Sequence, residues 1–335
     1  MRIKSIIKGT GSCLPEKAVT NKDMEALVDT TDEWIVQRTG IHQRHIAGDH
    51  ETTSSLAISA ASRALEASGL TADQIDGVIV ATTTPDLTFP SVAVHVQAAL
   101  GIPAGMAFDV QAVCTGFVYA LSTAHSFIQS GQAKNVIVIG AETMSRILDW
   151  EDRTTCVLFG DGAGAVVLGV NEDETSQRGI LSTHLYADGA HKDILCTSGG
   201  ISKTKSAGVI EMQGREVFKH AVTLMHDVVD EALKANDMTG ADLDWLVPHQ
   251  ANVRIISATA DKLGMPMEKV VLTVGDHGNT SAASAQTTSP TNRCSPAGWS
   301  CWRCSKKIST ISGLKTFTSF SGHGSCTTAS WLRNP

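Results

Sequence analysis

Residues 108–117 read Phe-Asp-Val-Gln-Ala-Val-Cys-Thr-Gly-Phe and change from a strand-like pattern to a helix-like one at Cys114. The helical pattern continues over residues 116–128. A thiol at a helix N terminus meets the positive end of the helix dipole, which lowers its pKa and favours the nucleophilic thiolate. We therefore interpret Cys114 as a candidate nucleophile. The alternative is a small buried apolar residue, which is the usual role of a free cysteine.

Short β-branched runs alternate with longer helical patterns on both sides of this stretch. The predicted strands are residues 77–82, 135–140, 164–170, 243–248 and 270–274. Most are apolar on both faces, which is typical of strands buried between layers of helices. Helices are predicted over residues 54–68, with Gly69 as the stop, and over residues 217–235. The Gly-rich residues 160–164 predict a turn. The pattern as a whole indicates an α/β fold.

The length of 335 residues exceeds one ordinary core and predicts two units. A polar stretch, residues 171–178, follows a predicted strand and sets the boundary, so the two halves are residues 1–171 and 172–284. The periodicity stops at about Ala285, and residues 285–335 form a third, aberrant segment. This tail holds four of the eight cysteines and three of the six tryptophans.

Composition narrows the class of protein. Hydrophobic residues make up 42% and charged residues 18%, as expected for a globular α/β protein. A formal charge of −7 argues against broad nucleic-acid contact. The apolar run at the start is short, and the chain has no run of about 18 apolar residues, so we expect a cytoplasmic protein with free thiols and no membrane span.

Two polar residues later in the chain could serve the same chemistry as Cys114. His249 follows a predicted strand in Pro-His-Gln-Ala-Asn, and Asn279 lies in Gly-Asn-Thr-Ser-Ala-Ala-Ser. An imidazole and an amide aimed at one point can stabilise an oxyanion by hydrogen bonds. Each residue alone is weak support, because a histidine after a strand is more often structural and Gly-Asn is more often a turn.

The ordered set Cys114, His249 and Asn279, with its flanking residues, resembles the catalytic triad of the β-ketoacyl-acyl-carrier-protein synthase III family. Phe-Gly-Asp-Gly-Ala-Gly-Ala (159–165) and Thr-Asp-Glu-Trp-Ile-Val-Gln-Arg-Thr-Gly-Ile (31–41) are further family strings. The similarity runs almost continuously from residue 9 to about residue 284. It implies a thiolase-like fold, in which two similar α/β halves form layers in the order α-β-α-β-α.

The resemblance also implies a reaction. The Cys114 thiolate attacks an acyl-CoA, most simply acetyl-CoA, and forms an acyl-enzyme. Malonyl-acyl-carrier protein then loses CO₂, and His249 and Asn279 stabilise the enolate oxygen. The enolate carbon attacks the acyl group and yields the β-ketoacyl product that initiates fatty-acid synthesis. This acyltransferase chemistry requires no metal and no cofactor.

Substrate contacts follow from the same resemblance, residue by residue. Trp34 and Arg38 match positions that stack on and flank the CoA adenine, and Arg153 matches a phosphate contact. Gly214 and Asn252 match positions that line the pantetheine tunnel.

Two further sets of residues imply protein partners by the same resemblance. Phe89 matches the residue that closes the acyl pocket of the partner subunit, which implies a homodimer. Lys219, Arg254 and Lys262 match a basic patch that receives the acidic acyl-carrier protein. This chain has Asp261 before Lys262, where the family often has a second basic residue.

Other functions remain open at this stage. A type III polyketide or secondary-metabolite ketosynthase would keep the triad and change the acyl pocket. A cysteine hydrolase would use Cys114, His249 and Asn279 as in papain-like enzymes. A zinc site formed by Cys301 and Cys304 with Cys294, His323 and Cys326 lacks a second tightly spaced pair of ligands, so we expect no metal.

The tail also raises the alternative of an inactive family member. The family continues past Asn279 with a helix, a Leu-Val-Leu-Leu-Glu-like strand and a Gly-rich loop that supplies an oxyanion N–H, and this sequence shows none of them. We hypothesise that residues from about Ala285 are read in a shifted frame, so that the native C-terminal strands are missing. The alternative is a genuinely divergent tail. Loss of one oxyanion donor typically lowers the rate by about 10²- to 10³-fold.

The shifted-frame hypothesis predicts a specific nucleotide sequence. Trp299-Ser300-Cys301-Trp302-Arg303 back-translates to TGG-TCN-TGY-TGG-AGR when serine and arginine use those codons. Read from one base earlier, these bases encode aliphatic-Val-aliphatic-Leu-Glu, which is the missing strand. Sequencing the gene tests this expectation. Bases that give no such string in the neighbouring frame would refute the hypothesis, as would a normal rate of condensation.

Overall fold

The computed structural model describes residues 4–173, 175–176, 178–284, 316–322 and 326–333. Its strands are β1 (Ser5–Cys13), β2 (Ala18–Thr20), β3 (Gln43–His45), β4 (Gly77–Ala81), β5 (Met106–Val110), β6 (Asn135–Thr143), β7 (Asp161–Val170), β8 (Gly179–Leu185), β9 (Leu195–Thr197), β10 (Ile210–Met212), β11 (Trp245–Pro248), β12 (Thr316–Gly322) and β13 (Cys326–Arg333). Its α-helices are α1 (Asn21–Glu25), α2 (Asp32–Thr39), α3 (Thr53–Ser68), α4 (Val92–Ala99), α5 (Gly116–Gln129), α6 (Ile201–Thr204), α7 (Gly214–Ala235), α8 (Val253–Lys262) and α9 (Val274–His277).

Two larger sheets organise these elements. The first has five strands in the order β1-β7-β6-β4-β5, with β4 parallel to both of its neighbours and β7 antiparallel to both of its own. The second has four strands in the order β11-β12-β13-β8. Strands β4 and β6 are buried on both faces, as their continuous apolar runs predict.

Helices cover both sheets and lie between them. Helices α3 and α4 pack on one face of the first sheet, and α5 packs on the other face. The opposite side of α5 contacts β8 and β13 of the second sheet, whose far face is covered by α7. Helix α8 packs beside α7. This is the predicted α-β-α-β-α order of layers.

Local sequence explains the helix ends. Helix α3 begins after Thr52, whose hydroxyl accepts a hydrogen bond from Ser55 N at 3.3 Å, and ends at Gly69 with φ 70°. Helix α7 turns an apolar face to the core through Val217, Ala221, Met225, Val228, Val229, Ala232 and Leu233. Both helices confirm the predictions made from periodicity.

Two local predictions are wrong. Residues 270–274 do not form a strand, because the Gln250 side-chain oxygen accepts hydrogen bonds from Thr273 N (2.8 Å) and Val274 N (3.1 Å) and α9 begins there. The Gly-rich residues 160–164 do not form a turn. All but Gly160 belong to β7, where small residues allow close packing: a Cβ at Gly162 would lie 3.0 Å from the Leu14 side chain.

The described part of the tail contributes two strands to the second sheet, although the sequence predicted that the C-terminal strands are missing. Strand β12 runs parallel to β11, and β13 joins β12 to β8 by antiparallel pairing. Both segments are rich in β-favouring residues such as threonine, and β11 and β8 offer backbone groups that need partners. The residues of the back-translated string, 299–303, lie outside the described residues.

Within the described residues, no helix is both long enough and apolar enough to cross a lipid bilayer.

The close contact between β1 and α3 predicts a steric effect. A Cβ at Gly11 would lie 2.3 Å from Ala60 O and 2.5 Å from Ala64 N. We expect Gly11→Ala to lower the free energy of unfolding by about 1–3 kcal/mol, because backbone atoms of α3 must move. Gly189→Ala is the matched control, since no atom lies within 4 Å of its added Cβ. Equal stability of both variants in urea unfolding would contradict this packing.

Candidate active site

Cys114 lies where the first sheet meets α5. After β5 the chain forms a short 3₁₀ turn, Val113–Thr115, and then enters α5 at Gly116. Val113 has φ 47°, a left-handed conformation that costs a β-branched residue about 1–3 kcal/mol. This turn leaves Cys114 only 3% exposed, at the edge of a cavity of about 1020 Å³.

The pKa of the Cys114 thiol differs from the prediction made from the sequence. Burial raises the pKa of Cys114 to about 12; the hydroxyl of Ser281 acts in the opposite direction, and the nearby carboxylate of Glu142 raises the pKa further. The expectation of a lowered pKa is therefore wrong. Loss of hydration outweighs the helix N terminus when the sulfur is almost inaccessible to water.

His249 follows β11 and is also buried. Its Nδ1 lies 2.6 Å from the Ser284 hydroxyl, which accepts a hydrogen bond from Gln250 N at 3.2 Å. A serine hydroxyl that donates to Nδ1 leaves the ring proton on Nε2. The opposite edge of the imidazole can then donate to a substrate oxygen.

Asn279 is held by backbone and side-chain hydrogen bonds. Its N–H donates to Leu158 O at 2.8 Å, and its carbonyl accepts from Gly160 N at 3.0 Å. Its side-chain Oδ1 accepts from Ser281 N at 2.9 Å. Because this contact fixes the amide oxygen, the amide nitrogen is left as the group that can donate to a substrate.

The short segment 281–284 connects the three predicted catalytic residues. The turn that begins at Ser281 packs against the turn that carries Cys114, and the Ser281 N–H donates to Asn279 Oδ1. Ser284, at the other end, contacts His249. Sequence reasoning missed both serines, although they stand two and five positions after Asn279 in the string Asn-Thr-Ser-Ala-Ala-Ser.

Glu142 is a further buried group that sequence reasoning missed. It is the penultimate residue of β6, and its carboxylate accepts hydrogen bonds from hydroxyl groups on two segments. The donors are Thr82 Oγ1 (3.3 Å), Thr83 Oγ1 (3.0 Å), Thr84 Oγ1 (2.6 Å), Ser281 Oγ (3.3 Å) and the N–H of Thr83 (3.1 Å). Burial raises its pKa to about 7 against the effect of these donors.

A second cavity, of about 690 Å³, brings together residues that the sequence predicted to bind CoA. Trp34, Arg38, Gly214 and Asn252 line it. The Arg38 guanidinium lies 4.4 Å from the centre of the Trp34 ring, and the Arg153 guanidinium lies 5.4 Å from it. An indole between two guanidinium groups suits a flat base and its phosphates.

Comparison with known proteins identifies the family. Models of the N-terminal and C-terminal parts of 3-oxoacyl-[acyl-carrier-protein (ACP)] synthase III match residues 108–189 and 233–288. A β-ketoacyl-[acyl-carrier-protein] synthase III from Allorhizobium ampelinum is 60% identical over 284 residues, which cover 84% of this chain and 88% of the relative. The chain belongs to the synthase III family.

Solved structures agree with this assignment. The crystal structure of 3-oxoacyl-[acyl-carrier-protein] synthase III from Aquifex aeolicus is 44% identical, with a TM-score of 0.88 over 99% of each chain. A priming β-ketosynthase of the R1128 polyketide pathway is 34% identical, with a TM-score of 0.87 over 99% of this chain and 97% of its own. The thiolase-like fold is confirmed, and the polyketide alternative is not favoured.

The residues expected to contact protein partners lie on the surface. Phe89 is 82% exposed, on the loop that leads from β4 to α4. Lys219 on α7 and Arg254 and Lys262 on α8 are exposed. Arg254 also lines the cavity of about 690 Å³ that contains Trp34. It therefore lies at the expected sites of both CoA and the carrier protein.

Two more residues of this cavity escaped prediction. Arg215 lines it beside Gly214, and Phe218 lies 5.4 Å from the Arg254 guanidinium. Both belong to the first turns of α7, and Arg215 stands four positions before Lys219, on the same face of the helix. Helical spacing was the signal that could have identified Arg215.

No metal centre is found among the residues that the structure describes: none of their His, Cys, Asp and Glu side chains form a group of three or more that could hold an ion. Cys294, Cys301 and Cys304 of the rejected zinc site lie outside those residues.

Proposed function

We propose that this chain catalyses the decarboxylative condensation of an acyl-CoA with malonyl-acyl-carrier protein, the first condensation of fatty-acid synthesis. The observation that carries the proposal is the convergence on segment 281–284, which packs against the turn that carries Cys114 and, through Ser284, contacts His249. A nucleophile and two neutral hydrogen-bond donors are the groups that acyl transfer followed by enolate formation requires.

The proposed acylation uses the two cavities in sequence. CoA binds with its adenine at Trp34 and its phosphates near Arg38 and Arg153. Asn252 donates its side-chain N–H to Arg38 O at 2.9 Å, which holds the wall of the tunnel next to Gly214. The acyl group reaches Cys114, forms a thioester with its sulfur and releases CoA.

The proposed condensation uses His249 and Asn279. Loss of CO₂ from the malonyl group leaves an enolate, and its oxygen accepts hydrogen bonds from both side chains. The enolate carbon then attacks the acyl-Cys114 thioester and frees the sulfur. Every electron pair moves within substrate and cysteine bonds, so the reaction needs no cofactor.

The proposal includes a homodimer and an acidic partner. Leu87 and Phe89 are 53% and 82% exposed, and a loop with such apolar residues is stabilised when a partner subunit covers it. The carrier protein docks on Lys219, Arg254 and Lys262. We assign the reaction to the cytoplasm, as expected for a protein with free thiols.

The acylation step predicts a covalent adduct on one cysteine. After incubation with acetyl-CoA, intact-protein mass spectrometry should detect an acetyl group on the wild-type chain and none on Cys114→Ala. Cys196→Ala is the matched control, because Cys196 lines the same cavity and should not carry the adduct. An adduct that persists in Cys114→Ala would overturn the assignment.

The condensation step is tested with malonyl-carrier protein. We expect His249→Ala and Asn279→Ala to retain acylation better than release of CO₂, because their proposed work is on the enolate. A cysteine hydrolase would release free acid and form no β-ketoacyl product. That result would replace the proposed function with hydrolysis.

Carrier docking predicts a charge effect that depends on salt. Lys219 is a cleaner test than Arg254, because Arg254 also lines the CoA cavity. Lys219→Glu should lower kcat/KM for malonyl-carrier protein by about 3- to 10-fold at low salt and leave acylation by acetyl-CoA nearly unchanged. The loss should shrink as salt screens the charges.

Lys234→Glu is the matched control, since it makes the same charge change near the far end of α7. Equal losses in the two variants would argue against docking at Lys219.

A further inference from the structure

We propose that Ser281 and Glu142 form a proton relay that removes the thiol proton of Cys114 when the cysteine attacks its substrate. The inference rests on the proposed function, in which Cys114 is the nucleophile. Ser281 lies on the turn that packs against Cys114 and exchanges a proton with the sulfur in this proposal, whereas Glu142 acts through Ser281 and is a positioning residue.

The relay explains how a buried thiol can lose its proton. A thiol that is 3% exposed cannot pass its proton directly to bulk water, and a thiolate there has lost most of its hydration. The nucleophile therefore requires an adjacent base. The turn that carries Ser281 packs against the turn that carries Cys114, and the Ser281 hydroxyl lowers the pKa of the thiol. Ser281 Oγ also donates a hydrogen bond to Glu142 Oε1 at 3.3 Å.

The surroundings of Glu142 leave it able to accept a proton. Its partners among the described residues are hydroxyl and N–H donors, and none of them is a cation. Burial without a counter-charge favours the protonated form and raises the pKa to about 7. A carboxylate with this pKa is a base of suitable strength near neutral pH.

Other titratable groups do not take this role. The titratable residues on the elements packed against β6 are Asp161 on β7, Arg63 and Glu66 on α3, and Tyr119 and His125 on α5. Asp161 accepts from Ser145 Oγ at 2.6 Å, His125 contacts Ser5 Oγ at 2.6 Å, and Glu66 is exposed. Arg63 donates to Ser12 O, and the Tyr119 hydroxyl donates to Tyr186 O.

The Ser281 hydroxyl has one proton, which decides how the relay works. With Glu142 ionised, that proton points to the carboxylate and the Ser281 oxygen can accept from the Cys114 thiol. Transfer moves the thiol proton to Ser281 and the Ser281 proton to Glu142. The products are a thiolate that accepts from Ser281 and a neutral Glu142 that donates to Ser281, so charge is conserved.

The same path returns the proton during acylation. The thiolate forms a bond to the thioester carbon, and collapse of the tetrahedral intermediate breaks the bond from that carbon to the CoA sulfur. The departing sulfur takes a proton from Ser281, which regains one from Glu142. The net products are acyl-Cys114, CoA thiol and ionised Glu142.

Tight packing fixes the geometry of the relay. Ser281 has φ 48°, a conformation that a serine adopts only when its surroundings hold it. A Cβ at Gly140 on β6 would lie 2.2 Å from Ala282 O, so the turn Ser281–Ala283 rests directly on the strand that carries Glu142. Little movement can separate Ser281 from the carboxylate.

Alkylation of Cys114 tests the relay without any CoA substrate. The full chain is treated with iodoacetamide between about pH 5 and pH 9, and Cys114 is followed by peptide mass spectrometry. We expect the wild-type rate to rise with pH up to about 7 and then to level off, because the relay needs ionised Glu142. Glu142→Gln should lose this inflection and react at least about 10²-fold more slowly at pH 8.

Ser281→Ala is the second variant, because it leaves Glu142 and its threonine donors in place and breaks only the bridge. It should lose the same inflection, and thermal unfolding checks that both variants are folded. Alkylation of Cys196, a partly exposed cysteine of the same cavity, is the internal control and should not change. An inflection retained in both folded variants would overturn the relay, and its loss in His249→Ala would assign the base to His249 instead.

Acetyl-CoA acylation over the same pH range separates the two proposals. If alkylation shows the relay but no acetyl adduct forms on the wild-type chain, the proposed function fails and the relay stands. If wild type and Glu142→Gln are acetylated with the same rate and pH dependence, the relay fails and the proposed function stands.

Discussion

The site depends on the buried carboxyl group of Glu142. A carboxylate in a dry environment is tolerated only when hydrogen-bond donors surround it. Here the donors come from Thr82 to Thr84 after β4, in the first half of the chain, and from Ser281 in the second. The need to satisfy one charge therefore joins the loop that lines the cavity beside Cys114 to the turn that carries Ser281.

Two residues close to Glu142 and Cys114 adopt backbone conformations that lower the stability of the fold. Val113 and Ser281 both adopt left-handed backbone conformations, at a cost of about 1–3 kcal/mol each, and they flank the nucleophile from opposite halves of the fold. The surrounding packing, with α5 against both sheets, holds both turns. Such strain persists where the position of a side chain matters more than the stability of its turn.

The sequence predicted those features that depend on local pattern. Helix α3 was readable from its apolar periodicity and from Gly69, which ends it. Trp34, Arg38, Gly214 and Asn252, which the resemblance predicts to contact CoA, line one cavity. Residues 270–274 were misread because Gln250, more than twenty positions earlier, takes their backbone N–H groups. The raised pKa of Cys114 and the importance of Glu142 follow from burial, a property of the folded chain that no local pattern reports.

Cys114 and His249 depend on overlapping parts of the chain. Glu142 belongs to the first sheet, whose strands all lie before residue 171. Cys114 lies in the turn after β5, which contacts β12 and β13 of the tail as well as the turn that carries Ser281. His249 follows β11, which in the described part of the chain pairs with β12 and makes one isolated bridge, from Leu246 to Val270. The position of the imidazole therefore depends on tail residues 316–322 and on Ser284. A defect in the tail therefore bears on both residues, on His249 through β11 and on Cys114 through the turn that β12 and β13 contact.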